Sequence, residues 1–132
     1  MSKLKFILLC FPLWGLFSCQ ESFDDRCARE AREYTEKQCP HRMDEYTVMD
    51  SLTYDRQTRT LNYYYTLEGA LDNDSVMTDQ ACEELKKMLH KDVINSVGLK
   101  SYKEKDINFR HCYYSKSSGK IRLQVRFTPE DY

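Results

Sequence analysis

The sequence predicts an α+β domain in which two helices pack on a four-stranded antiparallel sheet, with elements in the order α-β-β-α-β-β. Two segments, residues 24–37 and 79–97, repeat apolar side chains at the spacing of a helix face. Four other segments alternate apolar and polar side chains, as half-buried strands do, and they form two consecutive pairs. Two hairpins and two amphipathic helices bury their apolar faces most simply by stacking as two layers.

The first predicted helix covers residues 24–37. Cys27, Ala31 and Tyr34 lie at positions i, i+4 and i+7, with arginine, glutamate and lysine side chains between them. One face of the helix is therefore apolar and the remainder is charged. Pro40 ends the region, because proline lacks the amide hydrogen that a continuing helix needs.

The first predicted hairpin consists of residues 46–54 and 61–67. In the first of these segments, Val48, Leu52 and Tyr54 alternate with polar neighbours such as Ser51 and Thr53. The connection, residues 55–59, is short and polar, which favours a direct turn between two antiparallel strands. The alternate positions of the second segment are occupied by Leu61, Tyr63, Tyr65 and Leu67.

The second predicted helix runs from Asp79 to about Val97, after a polar loop at residues 69–77. Thr78 is a suitable N-cap, because its hydroxyl can accept a hydrogen bond from an amide of the first turn. Gly98 ends the helix, since glycine readily adopts the conformation that follows a helix C-terminus. The predicted apolar stripe consists of Ala81, Leu85, Met88, Leu89 and Val93.

The second predicted hairpin pairs residues 107–114 with residues 121–127 through a Lys-Ser-Ser-Gly turn at 116–119. Phe109, His111 and Tyr113 share one face of the first strand, and Arg110, Cys112 and Tyr114 share the other. The second strand alternates in the same way, with arginine and glutamine at its polar positions.

The composition fits one compact domain, which we assign to residues 24–132. Of the 132 residues, 41% are hydrophobic and 31% are charged, with only 4 Gly and 3 Pro, which argues against a disordered or low-complexity chain. The 20 Lys and Arg nearly balance the 21 Asp and Glu. Because nucleic-acid binding depends on a surplus of positive charge facing the phosphates, we expect no nucleic-acid partner.

Residues 1–18 have the pattern of a secretory signal. Lys3 and Lys5 precede an apolar block, residues 6–17, that is too short to span a bilayer as a stable helix. The block ends in Leu-Phe-Ser-Cys, where Ser18 supplies a small side chain before the cleavage site and Cys19 supplies a thiol. These four residues resemble the lipobox of bacterial lipoproteins. The acidic stretch after Cys19 is similar to that of small lipoproteins of Bacteroides-type bacteria.

The resemblance implies that residues 1–18 are removed and that Cys19 carries acyl chains, including palmitate. Residues 19–23 would then tether the domain to a membrane of the bacterial cell envelope, facing the periplasm or the cell surface, with the outer membrane as the expected location. Acyl chains hold a protein to a bilayer firmly, at about 0.8 kcal/mol per buried CH₂. The alternative is an ordinary cleaved signal, with Cys19 left as a free thiol.

The predicted domain contains four cysteines, Cys27, Cys39, Cys82 and Cys112. An even number in an exported domain predicts two disulfides. A bridge between Cys27 and Cys39 is excluded if the first helix is intact, because 12 helical residues span about 18 Å and bridged Cα atoms lie within about 7 Å. Cys27 and Cys39 are therefore expected to pair with Cys82 and Cys112, in either combination. Zinc binding is the alternative, although the short Cys-x₂₋₄-Cys spacing is absent.

The sequence carries no catalytic signature. It has no glycine-rich phosphate loop, no Gly-x-Ser-x-Gly and no His-Glu-x-x-His. His111 and Cys112 are adjacent, but neighbours in a strand point to opposite faces, so they do not form a nucleophile and base pair. We therefore expect neither enzyme activity nor a cofactor or metal. The alternative is a hydrolase or metal-dependent envelope enzyme whose site assembles from His41, His90 and His111.

Tyrosine is the one residue type in excess, with 10 copies. Strand alternation predicts a sheet face that carries both aromatic and cationic side chains. Tyr and Arg are enriched where proteins contact partners, although the same side chains also pack on each other across strands. The sequence thus predicts a membrane-anchored binding module that contacts another envelope protein, as an inhibitor, an immunity protein or an accessory subunit does. The candidate binding face consists of Tyr64, Arg110, Tyr114, Arg122 and Arg126, with the loop at residues 69–77 as a second candidate.

Overall fold

The structure, a computed structural model, describes residues 20–132. The predicted signal peptide and the predicted lipidation site at Cys19 lie outside the described residues. The described part of the chain forms one five-stranded sheet, two long helices and one short helix. In chain order the elements are α1 (Phe23–Gln38), β1 (His41–Arg42), β2 (Thr47–Asp55), β3 (Thr60–Leu67), α2 (Asp79–Asn95), α3 (Lys100–Lys103), β4 (Asn108–Ser115) and β5 (Ile121–Phe127).

The predicted fold class, a four-stranded antiparallel sheet with two helices, is wrong in strand number, strand direction and helix number. The strands lie in the order β1-β2-β3-β4-β5, and β3 pairs with β4 in parallel while the other pairs are antiparallel. The additional strand, β1, pairs His41 with Met49 and Arg42 with Val48. Two exposed polar residues have no alternating pattern, so periodicity could not reveal this strand. The additional helix, α3, has only four residues, which is too few to show the repeat of apolar side chains that predicts a helix.

The parallel pairing of β3 and β4 follows from the helix between them. Thr60 pairs with Asn108 and Leu67 pairs with Ser115, so the chain returns to the first end of β3 before β4 begins. The 17 residues of α2 provide that return, because a helix of this length spans about 25 Å, close to the length of an eight-residue strand. Parallel neighbours always require such a crossover.

The two long helices and the four predicted strands lie within about two residues of their predicted bounds. Thr78 caps α2 as predicted, since its hydroxyl accepts a hydrogen bond from the Ala81 amide at 3.2 Å. Ser22 caps α1 in the same way, accepting from the Asp25 amide at 3.1 Å. These caps satisfy amides at the helix start that have no partner within the helix.

All three helices pack against one face of the sheet, which we call the covered face. The Thr35 hydroxyl of α1 donates to the Leu52 carbonyl oxygen at 2.8 Å and accepts from the Leu52 amide at 2.9 Å. The Tyr102 hydroxyl of α3 donates to the Glu30 carboxylate of α1. The core under the helices consists of Ala31, Met49, Leu61, Tyr65, Leu67, Leu89, Val93, Ile107, Phe109, Tyr113, Val125 and Phe127.

The alternate residues of the central strands point to the other side of the sheet, which we call the open face. None of the described helices packs against it, because their core residues all meet the covered face. The domain is therefore a two-layer structure with one sheet surface exposed to solvent.

Candidate functional site

An apolar cleft of about 430 Å³ lies between α2 and the covered face of the sheet. Four rings from the two central strands form its floor. The parallel register places them side by side, Tyr63 opposite His111 and Tyr65 opposite Tyr113. The walls are formed by Leu67, Leu71, Leu85, Leu89, Val93 and Leu99, among others.

The floor is a stack of nearly parallel rings. The centroids of Tyr63 and His111 lie 4.5 Å apart with an angle of 8° between their planes. The centroids of Tyr65 and Tyr113 are also 4.5 Å apart, at 11°. Stacked rings present a flat, mostly apolar surface with polar groups only at their edges. Burial raises the pKa of the Tyr63, Tyr65 and Tyr113 hydroxyls far above its usual value, so all three remain protonated.

His111 is the polar group at the centre of this floor. Its side chain is 7% exposed, and its Nδ1 atom lies 3.3 Å from the Tyr65 hydroxyl. The Nε2 atom is buried and has no hydrogen-bond partner within residues 20–132. Burial lowers the pKa of His111 to about 4, so the imidazole is neutral at pH 7. A buried polar atom without a partner costs free energy, which a hydrogen bond from a ligand recovers.

The mouth of the cleft is rich in methionine. Met43, Met77 and Met88 line it, and Met43 and Met88 are 51% and 63% exposed. Methionine side chains are flexible and polarisable, which suits surfaces that adapt to an apolar partner. Two carboxylates, Asp44 and Asp92, stand among them. The cleft therefore combines an apolar interior, an adaptable rim and one unpartnered polar atom.

Four of the five residues predicted to form a Tyr and Arg surface lie on the open face. Arg110 donates from Nη2 to the Tyr64 hydroxyl at 3.1 Å, and its guanidinium lies 6.0 Å from the centre of the Tyr64 ring. The Tyr64 and Tyr114 rings are 6.4 Å apart. Arg126 is exposed and pairs in register with Arg110.

The fifth residue, Arg122, makes its contacts elsewhere. A bulge shifts the register between Tyr113 and Tyr114. Tyr113 pairs with Leu123 and Tyr114 pairs with Ile121, so Arg122 has no partner in the ladder. Arg122 instead forms ion pairs with Asp72, at 2.9 Å, and with Asp74.

Asp72 also fixes the loop at residues 69–77, the second predicted binding element. It accepts hydrogen bonds from the Ser115 hydroxyl at 2.5 Å and the Ser117 amide at 2.8 Å, in addition to those from Arg122. These bonds, chiefly the one from Ser115, hold the pKa of Asp72 well below its usual range. The loop is therefore tied to the turn between β4 and β5.

The two predicted disulfides are not present in this structure. Cys27, Cys39, Cys82 and Cys112 are all free thiols. Cys27 is buried in α1 against the covered face, whereas Cys112 points to the open face. The sheet thus lies between Cys112 and the helix that was expected to reach it. The exclusion of a bridge between Cys27 and Cys39 agrees with the unbroken helix α1 (Phe23–Gln38).

The three histidines do not form a common site. His41 lies on β1, His90 on α2 and His111 on β4. His90 donates from Nε2 to the Asp131 carbonyl oxygen at 2.6 Å and stacks on Phe127. Among residues 20–132, no group of three His, Cys, Asp or Glu side chains could hold a metal ion. The arrangement required by the metal-dependent alternative is therefore not formed in this part of the chain.

Within the described range, the helices are too short or too polar to cross a bilayer. Periodicity alone does not reveal the cleft, because the rings of its floor occupy alternate positions of two strands that it assigns to separate hairpins. The available signal was the accumulation of tyrosine and histidine at alternate positions of β3 and β4. Only the parallel pairing brings those two sets of rings together.

A family profile described as "Domain of unknown function (DUF8479)" matches residues 22–123. The chain belongs to this family. The match begins at the N-cap of α1 and ends within β5, so it includes the cleft and most of the open face. Among curated proteins, none matches this DUF8479 chain.

Two solved structures share the fold of this DUF8479 domain. One is a Pseudomonas aeruginosa protein provisionally described as secreted, with a TM-score of 0.65 and 9% sequence identity over 85% of this chain and 98% of that chain. The other is EpsS, the pilotin of the Vibrio vulnificus type 2 secretion system, with a TM-score of 0.59 and 8% identity over 82% of this chain and 89% of that chain. At these identities the similarity establishes the fold alone.

Proposed function

We propose that this protein is a lipid-anchored binding module of the bacterial cell envelope that binds a partner protein through the cleft. The observation that carries the proposal is the unpartnered Nε2 atom of His111 at the floor of an apolar cleft with exposed methionines at its mouth. An exposed apolar surface of this kind is costly unless a partner covers it. The polar atom at its base gives that partner a fixed hydrogen-bonding point.

The chemistry of the floor favours binding over catalysis. General acid and base groups work best when their pKa lies near the operating pH. The pKa of His111 lies near 4, and the pKa values of the neighbouring tyrosine hydroxyls lie far above their usual range. None of these groups therefore exchanges a proton readily at pH 7. A neutral, desolvated set of rings is suited to holding an apolar surface.

Two observations support an envelope location. The N-terminal segment resembles the signal and lipobox of a bacterial lipoprotein, with Cys19 as the acylated residue. The fold is shared with a protein described as secreted and with a pilotin of a secretion system. An accessory or interaction role in the envelope is consistent with both. In its most specific form, the proposal is that the protein acts as an accessory subunit of an envelope complex.

Site-specific photo-crosslinking in intact cells tests the cleft as the partner surface. A photoreactive amino acid replaces Met88 at the mouth of the cleft, and the matched control places it at Lys87, which is exposed on the opposite side of α2. We expect a discrete adduct from position 88 that is absent from position 87 and weakened by His111→Phe. Identical adducts from both positions, or an adduct unaffected by His111→Phe, would show that the cleft does not bind the partner.

Metabolic labelling with palmitate tests the anchor. The parent protein should incorporate the label and sediment with membranes, whereas Cys19→Ala should lose both properties. Cys39→Ala is the matched control, because it removes a different partly exposed thiol. Retention of label in Cys19→Ala contradicts the lipobox interpretation and leaves the cleft experiment unaffected.

A further inference from the structure

Two arginines that form no ion pair within the described chain face each other on the open face. Arg110 and Arg126 are direct partners in the antiparallel register of β4 and β5. Like charges in this position destabilise a sheet, because the side chains lie about 5 Å apart at their Cβ atoms. Arg126 forms no ion pair with any residue of the described chain, and Arg110 forms none either. The positive charge of the pair is therefore left for solvent or a ligand.

Hydrogen-bond donors converge at a hollow beside this pair. The hollow has a volume of about 120 Å³ and is lined by Asp55, Thr58, Thr60, Asn62, Arg110 and Arg126. The Nε atom of Arg110 is buried and has no hydrogen-bond partner in the described chain. Asn62 is buried, and its amide nitrogen donates to the Thr60 carbonyl oxygen at 3.4 Å, so one of its two amide hydrogens remains free.

One carboxylate, that of Asp55, lines the hollow and opposes an anion there. Its Oδ1 atom already accepts hydrogen bonds from the Gln57 amide at 2.9 Å and the Thr58 amide at 3.4 Å, which fix the hairpin turn. Two guanidinium groups against one carboxylate leave a net positive charge. Asp55 also supplies an internal control, because its neutralisation should strengthen anion binding.

We propose that the hollow between Arg110 and Arg126 is a binding site for an oxyanion, a carboxylate or a phosphate group. A guanidinium presents a planar set of donors that matches the oxygens of either group. The Tyr64 ring packs beside Arg110 and offers an apolar surface to the rest of a ligand. The anion is either a free inorganic ion or the acidic group of a larger molecule such as a charged sugar. The site lies on the face of the sheet opposite the cleft, so it is independent of the proposed partner surface.

Titration of the protein followed by NMR tests this site. The probes are inorganic phosphate, D-glucuronate and, as the uncharged control, D-glucose. We expect phosphate or glucuronate to shift the Nε–Hε resonance of Arg110, and glucose to leave it unchanged. Tighter binding of glucuronate than of phosphate identifies the acidic group of a sugar, and the reverse order identifies a phosphate.

Substitutions inside and outside the hollow test whether the anion binds there. Arg126→Gln should weaken binding about tenfold, as expected when one charge-assisted contact is lost. Asp55→Asn should tighten binding, because the amide oxygen keeps the turn while the negative charge is removed. Lys86→Gln, which makes the same charge change on the exposed side of α2, should have no effect. The proposal is overturned if neither anion shifts the Arg110 resonance, or if Lys86→Gln weakens binding as much as Arg126→Gln. Circular dichroism verifies that each variant is folded.

Discussion

The two faces of the sheet bury residues by different means. On the covered face, Phe109 and Tyr113 are shielded by a layer of helices. On the open face, Cys112 is only 1% exposed although no described helix packs against it. Its neighbours on the adjacent strands are Tyr64 and Gln124, and its Sγ atom lies 3.9 Å from Oε1 of Gln124. Burial by a second layer is lost only when that layer detaches, whereas burial by flexible side chains is interrupted whenever they move. The same strand, β4, thus has side chains covered by helices on one face and side chains covered only by their neighbours in the sheet on the other.

The largest expected difference between the two faces is in the unfolding free energy that is lost when one aromatic ring is removed from each. Phe109→Ala should lower the free energy of unfolding by about 3–5 kcal/mol, because it leaves a cavity in a fully enclosed core. Tyr114→Ala, on the open face of the same strand, should cost about 1 kcal/mol or less, the scale of one cross-strand pair. Urea unfolding measures both. Equal losses would show that the open face is covered in solution by a second layer, which contradicts the distinction.

The pH dependence of stability should depend on His111 on the covered face. Its pKa is about 4 in the folded protein because of burial, and about 6.5 in an unfolded chain. Between these values the unfolded state binds a proton that the folded state does not, so stability falls as the pH falls. The decrease in the free energy of unfolding between pH 7 and pH 4.5 should be about 2 kcal/mol larger in the parent than in His111→Phe.

The control for this measurement replaces a histidine that is exposed. His41→Phe keeps every carboxylate and should show the same pH dependence as the parent. If His111→Phe and His41→Phe behave alike, the imidazole of His111 is solvated in the unfolding experiment, and the cleft is wetter than its geometry indicates.

The sequence was sufficient for the two long helices and for four of the five strands, but not for β1, for α3 or for the way the elements combine. The helix and strand bounds follow from periodicity and caps, as the Thr78 cap illustrates. The direction of β4 relative to β3 depends on where a crossover helix returns the chain, which is a nonlocal property. The cleft follows from that pairing, because it brings His111 beside Tyr63. Arg122 was misplaced for a comparable reason, since strict alternation does not anticipate a bulge.

A smaller effect should follow from loss of the contacts that hold the loop over residues 69–77. Asp72→Asn removes the charge that binds Arg122, Ser115 and Ser117. Because the pKa of Asp72 is lowered in the folded protein, its stabilising contribution is present above the pKa of an unfolded aspartate, about 4, and disappears as the pH falls below that value. The variant should therefore be less stable than the parent at pH 7 and approach it in acid.

Asp74→Asn is the matched variant for this loop, because Asp74 contacts Arg122 from an exposed position. It should lose little stability, as exposed ion pairs contribute little. Equal effects of the two substitutions at pH 7 would show that the hydrogen bonds from Ser115 and Ser117 contribute nothing beyond charge.

The smallest expected effect is a difference in the rates at which the four cysteine thiols are alkylated. Alkylation of the reduced protein with iodoacetamide, followed by mass spectrometry over time, compares the four thiols. Cys39 and Cys82 are partly exposed and should react first. Cys112 should follow, because only side-chain movement is needed to uncover it on the open face. Cys27 should be last, since burial raises its pKa to about 11 and α1 must detach to expose it. If Cys27 reacts before Cys112, side chains shield the open face more durably than α1 shields the covered face. The same alkylation of protein purified without reductant tests the predicted disulfides, because they would protect all four thiols until reductant is added.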